Sequence, residues 1–268
     1  MKIDVIIPSR GHPTRLMAVL TCFDQLATGQ HEVTYRIVCD MDDPLTCKAA
    51  ESLKLRTAIH IGTGNLQTRM NEAAREGEAH IVTTAADDVF PLAQDWDGIL
   101  AIGIEQNLPA FSWQEVKDPT NHTNLVFSHK WLGAVGRMLP EYFPFWFGDT
   151  WVAEVFEMAF TRSMPIIKNL PWGGKRGKTL GMRDLAFWFD FFAATRVERI
   201  AEARAVCFAW NIPFEMPEAM AADMQRRDAE QLARVPQYEE WFGADQGDPT
   251  EQYVKMKAAA DQWLEARR

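Results

Sequence analysis

The chain has 268 residues, 47% hydrophobic and 24% charged, with a formal net charge of −9. This is the composition of a soluble globular protein, long enough for one large domain or a domain with an appended unit. The acidic balance argues against binding duplex DNA through a basic face, and no apolar run reaches the roughly 18–20 residues that span a bilayer.

The N-terminal MKIDVIIPSRG carries a short apolar run that ends at Pro8. It lacks the longer apolar core and the cleavage site of a signal peptide. It reads as a buried first strand over residues 3–8, and the protein as cytoplasmic. Cys22, Cys39, Cys47 and Cys207 show no C-x-x-C spacing, so they read as free buried thiols. Helices are predicted over 14–26, 45–53, 66–76 and 96–105, and they alternate with strands over 33–39, 57–61 and 80–84. Repeated βα units imply a largely parallel sheet covered on both faces. Strands then follow over 110–116 and 125–128, a helix over 149–160 and a short strand over 165–168. From residue 180 the pattern is helical, over 180–210, 217–235 and 250–266, with breaks at Pro213, Pro217 and "FGADQGDPT".

In open α/β sheets, ligands bind just beyond the carboxyl ends of the strands. Four polar clusters fall there: "SRGHPTR" after strand one, "DMDD" after strand two, "GTGN" after strand three and "ADD" after strand four. Parallel strands bring all four to one edge, which makes a pocket of carboxylates, arginine and glycine turns.

In order and spacing, "VIIPSRGHPTRL", "VCDMDD", "NLQTRMNEA" and "TTAADDVF" resemble the GT-A glycosyltransferases, in particular the family-2-like group of nucleotide-diphospho-sugar transferases. The segment "YFPFWFGDTWVAE" is similar to the acceptor-side segment of that family. The resemblance implies a Rossmann-like three-layer α/β/α sandwich with a mainly parallel mixed sheet. Residues 1–179 would form the catalytic domain: 1–110 the nucleotide-sugar half and 111–179 the acceptor half. Residues 180–268 would be a helical C-terminal extension packed on that core.

The resemblance further implies a nucleotide-sugar donor, expected to be UDP-linked, and Mn²⁺ or Mg²⁺ as cofactor. The first strand would end in a donor-facing turn, Pro8, Ser9 and Arg10. Asp40, with Asp42, would meet the nucleobase or ribose. Asn65 and Arg69 would line the donor after strand three. The D-x-D position reads Ala86-Asp87-Asp88, so Asp88 matches the metal-binding acid, and Asp87 would cover the ribose or a second metal contact. A divalent ion held by one or two carboxylates keeps open positions for phosphate oxygens and absorbs the charge of the leaving diphosphate. The plain alternative is that both acids cap the next helix.

Asp149 would be the base for an acceptor hydroxyl, with inversion at the anomeric centre; a carboxylate ringed by Trp146, Phe147 and Trp151 would have its pKa raised. It would equally serve as a helix cap. Trp146 and Trp151 are also candidates for an acceptor wall, although aromatic runs are more often core. "WGGKRGKT" fails the P-loop pattern because Trp172 stands where the first glycine belongs, but Lys175, Arg176 and Lys178 would suit a lid over a diphosphate. "GTGNLQ" falls short of a dinucleotide fingerprint at Gln67 and follows strand three instead of strand one. A nicotinamide-dependent oxidoreductase is therefore the rival enzyme, and a catalytically inactive nucleotide-binding protein the third reading. The acceptor is left open among a glycan, a protein, a small molecule and a modified nucleic-acid base.

Overall fold

The structure is a computed structural model that describes residues 1–62, 64–143, 147–174, 183–242 and 250–267. The chain divides into two compact units. The first comprises residues 1–140 and 163–175, the second residues 141–162 and 176–268.

The first unit holds an eight-stranded sheet with helices on both faces. Its elements begin β1 (Lys2–Ser9), α1 (Pro13–Leu26), β2 (Glu32–Asp40), α2 (Pro44–Ser52), β3 (Thr57–Gly62), α3 (Leu66–Arg75) and β4 (Ile81–Thr84). They continue with β5 (Phe90–Pro91), α4 (Trp96–Glu105), β6 (Ala110–Glu115), β7 (Leu125–Ser128), α5 (His129–Val135) and β8 (Ile166–Gly173). The strand order is β3-β2-β1-β4-β7-β6-β8-β5. Strands β1 to β4 are mutually parallel, β7 runs against β4 and β6, β8 runs with β6, and β5 runs against β8. The carboxyl ends of β1 to β4, β6 and β8 therefore open on a single edge.

Period-two alternation explains the layering. Ile3, Val5 and Ile7 of β1 and Tyr35, Ile37 and Cys39 of β2 share one buried face, which packs on Leu16, Val19, Leu20 and Phe23 of α1. Those four apolar residues recur at helical spacing, giving α1 one inward stripe. The opposite face interrupts its apolar pattern with an ion pair: Arg36 Nε lies 2.5 Å from Asp4 Oδ2, with 13% and 5% of the two side chains exposed. A Cβ at Gly77 would overlap Asp4 Oδ2, so the turn after α3 closes over this pair only because it carries a glycine.

The chain runs outward from β1 to β2 and β3, then returns to place β4 on the other side of β1. This reversal opens a crevice between the carboxyl ends of β1 and β4, the place where open α/β sheets hold ligands.

The second unit is helical: α6 (Gly148–Phe160), α7 (Leu185–Ala194), α8 (Arg196–Trp210), α9 (Glu218–Ala233), α10 (Val235–Phe242) and α11 (Glu251–Glu265). This unit groups α6 with the C-terminal helices. Trp151 Nε1 donates to Glu202 at 2.7 Å, Arg199 Nε meets Glu154 at 2.7 Å, and Cys207 Sγ donates to the Ala159 carbonyl at 3.4 Å. The helix expected over 180–210 is broken at Thr195, whose hydroxyl and Arg199 Nη1 both bond the Phe192 carbonyl, at 2.9 and 2.7 Å. Both donors satisfy a carbonyl left open at the end of α7. The short elements β5, α5 and α10 carry too few residues for a periodic signal.

Candidate donor site

The acid pair sits at the crevice, and the structure gives its members different surroundings. Asp87 is 7% exposed. Its Oδ2 accepts from Ser9 Oγ at 2.7 Å, across from the end of β1, and its Oδ1 accepts from Arg15 Nη2 at 2.8 Å. Both carboxylate oxygens are thus tied to the first βα turn. Asp88 is half-buried at the turn that leads into β5. Neither acid caps a helix, since the next one is α4, whose N-cap is Asp95.

Arg15 reaches the acid pair from the first turn of α1. It stands three positions after the N-cap His12, with Pro13 at the first helical position. Helical side chains tilt toward the N-terminus, which sends this one back over the carboxyl edge. The turn that delivers it contains Gly11 at φ 71°, a left-handed conformation suited to glycine. Gly11 N–H donates to Asp43 Oδ2 at 2.6 Å. Asp43 also N-caps α2 through Thr46, so one side chain joins two strand-end turns. The Thr46 hydroxyl and then the Gly11 N–H hold the Asp43 carboxyl below its ordinary pKa.

Asp40 ends β2 between two arginines. Arg69 Nη2 lies 2.8 Å from its Oδ1, and Arg10 Nε lies 3.3 Å from its Oδ2. Arg69 is 8% exposed and also donates to the Cys39 carbonyl at 2.9 Å. A Cβ at Gly62 would stand 3.0 Å from Arg69 Cδ, so the strand-three glycine makes room for the arginine stem. Arg10 reaches on to Asp42 at 2.9 Å, an exposed pair that contributes little to stability and leaves the guanidinium available to a stronger anion. Pro8 is half-buried in the β1 ladder opposite Val38. Asn65 caps α3, its side chain accepting from Gln67 N–H at 2.8 Å. Asn71 is a structural bracket that binds the N–H groups of Met138 and Leu139 and the Leu139 carbonyl.

Five aspartates (40, 42, 43, 87 and 88) and three arginines (10, 15 and 69) therefore share this edge. Aspartates outnumber arginines by two, so an anionic diphosphate alone meets net repulsion from these eight side chains, and a divalent cation removes it. Among the described residues, no group of three or more His, Cys, Asp or Glu side chains is placed to hold a metal ion. Asp87 is held by Ser9 and Arg15, and Asp88 stands next to it at the same edge as a second hard oxygen donor. One protein carboxylate fits Mg²⁺ or Mn²⁺ where waters and substrate phosphates complete the coordination.

Arg15→Met is expected to lower stability by about 1 kcal/mol, the worth of a charge-assisted hydrogen bond discounted for partial exposure. It also removes one of the two side-chain hydrogen bonds that hold Asp87. Urea unfolding measures the effect on stability.

The remaining candidates lie elsewhere. Asp149 is in the second unit, in the first turn of α6, and Phe147 ahead of it holds φ 74°. Its Oδ1 accepts from the Thr150 N–H at 2.8 Å. Burial pushes the Asp149 pKa up, against the pull of that bond. Trp151 does not line an acceptor wall: it is 1% exposed, packs against Tyr142, Phe143 and Phe192, and is core. Trp146, Lys175, Arg176 and Lys178 lie outside the described residues. No helix among the described residues is long and apolar enough to cross a membrane.

No protein-family model matches the sequence, and no curated protein matches it. Solved structures do. A mannosyltransferase from Pyrobaculum calidifontis, in complex with GDP-Man and Mn²⁺, superposes with a TM-score of 0.54 at 15% identity, over 99% of this chain and 88% of that one. TarS 1–349 of S. aureus superposes with a TM-score of 0.56 at 13% identity, over 97% and 79% of the two chains. Its complex with UDP-GlcNAc gives a TM-score of 0.53 at 14% identity, over 98% and 81%. The fold is that of the GT-A nucleotide-sugar glycosyltransferases.

Proposed function

We propose that the chain is a glycosyltransferase that takes a nucleoside-diphosphate sugar as donor and requires a divalent cation. One observation carries the reading: Ser9 and Arg15 fix Asp87 at the β1–β4 crevice, and this places Asp88 beside it on the edge that also holds Asp40 and Arg69. The similar structures bound to GDP-Man with Mn²⁺ and to UDP-GlcNAc support it.

In this reading Asp40 accepts from a ring N–H of the base, since its oxygens keep lone pairs beyond those used by Arg10 and Arg69. Arg69 holds Asp40 and the β2 end in place. Asp87 orients the ribose, and Asp88 holds the cation. Mn²⁺ or Mg²⁺, when bound, supplies positive charge to the diphosphate as it leaves. Arg10 exchanges its exposed pairing with Asp42 for a phosphate oxygen. For the acceptor step, Asp149 is the proposed base. Its segment resembles the acceptor side of the family, and a desolvated carboxyl of raised pKa is suited to take a hydroxyl proton. A base acting on the face opposite the leaving group inverts the anomeric centre.

Calorimetric titration with UDP-GlcNAc and GDP-mannose, each with and without Mn²⁺, tests the donor class, and NAD(H) serves as the counter-arm. Binding of one nucleotide sugar strengthened by Mn²⁺ is the expected result. Binding of NAD(H) with indifference to both sugar nucleotides would overturn it.

A further inference from the structure

The peptide of Asp88 is covered by the far end of β8. Phe90 and Pro91 of β5 pair with Gly173 and Trp172, so the chain that leaves the acid pair passes directly into the β8 ladder. Gly174 follows, pressed against the acid. A Cβ built on it would overlap the Asp88 carbonyl oxygen and stand 3.1 Å from the Asp88 carbonyl carbon and 3.8 Å from the Val89 Cα. The obstacle is backbone, so no rotamer change relieves it. The Gly174 carbonyl accepts from Lys117 Nζ at 3.4 Å, which ties this strand end to the loop that follows β6.

The neighbouring glycine is different. A Cβ at Gly173 would meet the Leu92 side chain, 3.2 Å from Cδ1, and a leucine tip can turn aside. Two adjacent glycines thus have unlike constraints: one faces a movable side chain and the other the peptide that carries the proposed metal-binding acid.

We infer that Gly174 is a positioning residue for Asp88: its missing side chain lets the end of β8 lie on the Asp88 peptide and hold the carboxylate in its cation-binding place. This rests on the proposed metal role of Asp88. Gly174 belongs to "WGGKRGKT", and its close approach to Asp88 accounts for a glycine there without a P-loop.

The test compares wild type, G174A and G173A in three measurements. They are the melting temperature, the metal-free affinity for UDP or GDP (whichever the wild type binds tighter), and Mn²⁺ uptake with that nucleotide, followed by loss of the free-Mn²⁺ EPR signal. G174A is expected to stay folded and keep metal-free nucleotide affinity, while its Mn²⁺ affinity falls by about tenfold or more, the usual cost of loosening a ligand's support. G173A is expected to match wild type in all three. Unchanged Mn²⁺ affinity in G174A, an equal loss in G173A, or a G174A chain that is unfolded at room temperature would each overturn the inference. A wild type that takes up no Mn²⁺ with either nucleotide would instead sink the metal role of Asp88, on which the inference rests.

Discussion

Asp88→Asn is expected to reduce sugar transfer by at least about a thousandfold, because the variant loses the carboxylate proposed to hold the cation at the leaving diphosphate. Asparagine keeps the shape of the side chain, so the fold survives and the melting temperature stays near wild type. Donor affinity in Mn²⁺ should fall to its metal-free value, which calorimetry reads directly. Asp87→Asn perturbs a different function, since Asp87 is anchored by Ser9 and Arg15 at 2.7 and 2.8 Å. It should cost stability as well as binding. Asp149→Asn separates the steps again, with donor binding retained and transfer lost. Wild-type transfer by Asp88→Asn would remove the assignment of the acid pair to a metal-assisted reaction.

The largest expected loss of stability comes from Arg199. Its side chain is fully buried, its Nε lies 2.7 Å from Glu154 Oε2, and its guanidinium stacks 3.9 Å from the Phe192 ring centroid and 5.1 Å from that of Trp151. Burial pulls the Arg199 pKa down and pushes the Glu154 pKa up, so each charge depends on the other to persist. Arg199→Met fills most of the space but removes the guanidinium that touches Glu154 and leaves only the more distant charges of Arg227 and Arg196 acting on it. The expected cost is about 3–5 kcal/mol, a large part of the roughly 5–15 kcal/mol that holds a typical domain together. The double variant Arg199→Met with Glu154→Leu should recover most of that loss, because replacing both members of a buried pair by apolar residues is often neutral. Urea unfolding of the two variants measures both values. A single variant as stable as wild type would show that Glu154 finds another partner or takes up a proton at little cost.

Period-two and helical patterns were enough to place β1 to β4, α1 to α4, β6 and β7, because these elements are long enough to show their apolar residues, whereas β5 and α5 are too short. Residues 3–8 carry the apolar run that becomes the buried β1, and Leu16, Val19, Leu20 and Phe23 mark the inner stripe of α1. The polar ends of β1 to β4 were visible as clusters, and parallel pairing brought them to one edge. Length and breaker residues were less informative in the helical unit. Nothing local marks Thr195 as a helix end, since the break depends on Arg199 turning back to the Phe192 carbonyl. Trp151 looked like a candidate acceptor wall because an aromatic beside a carboxylate is ambiguous until its burial is known.

The sequence by itself determined the order of the longer strands and helices of the first unit, the four polar strand ends and the presence of two adjacent acids after β4. Each of these follows from short-range pattern and from the rule that a parallel sheet gathers its carboxyl ends. Tertiary structure alone decided how the two acids differ. Ser9 and Arg15 lie 78 and 72 residues from Asp87 in the chain, and Gly174 reaches Asp88 from β8. Neighbours in sequence acquire separate surroundings when distant segments close on them from different strands, and no local pattern encodes those contacts.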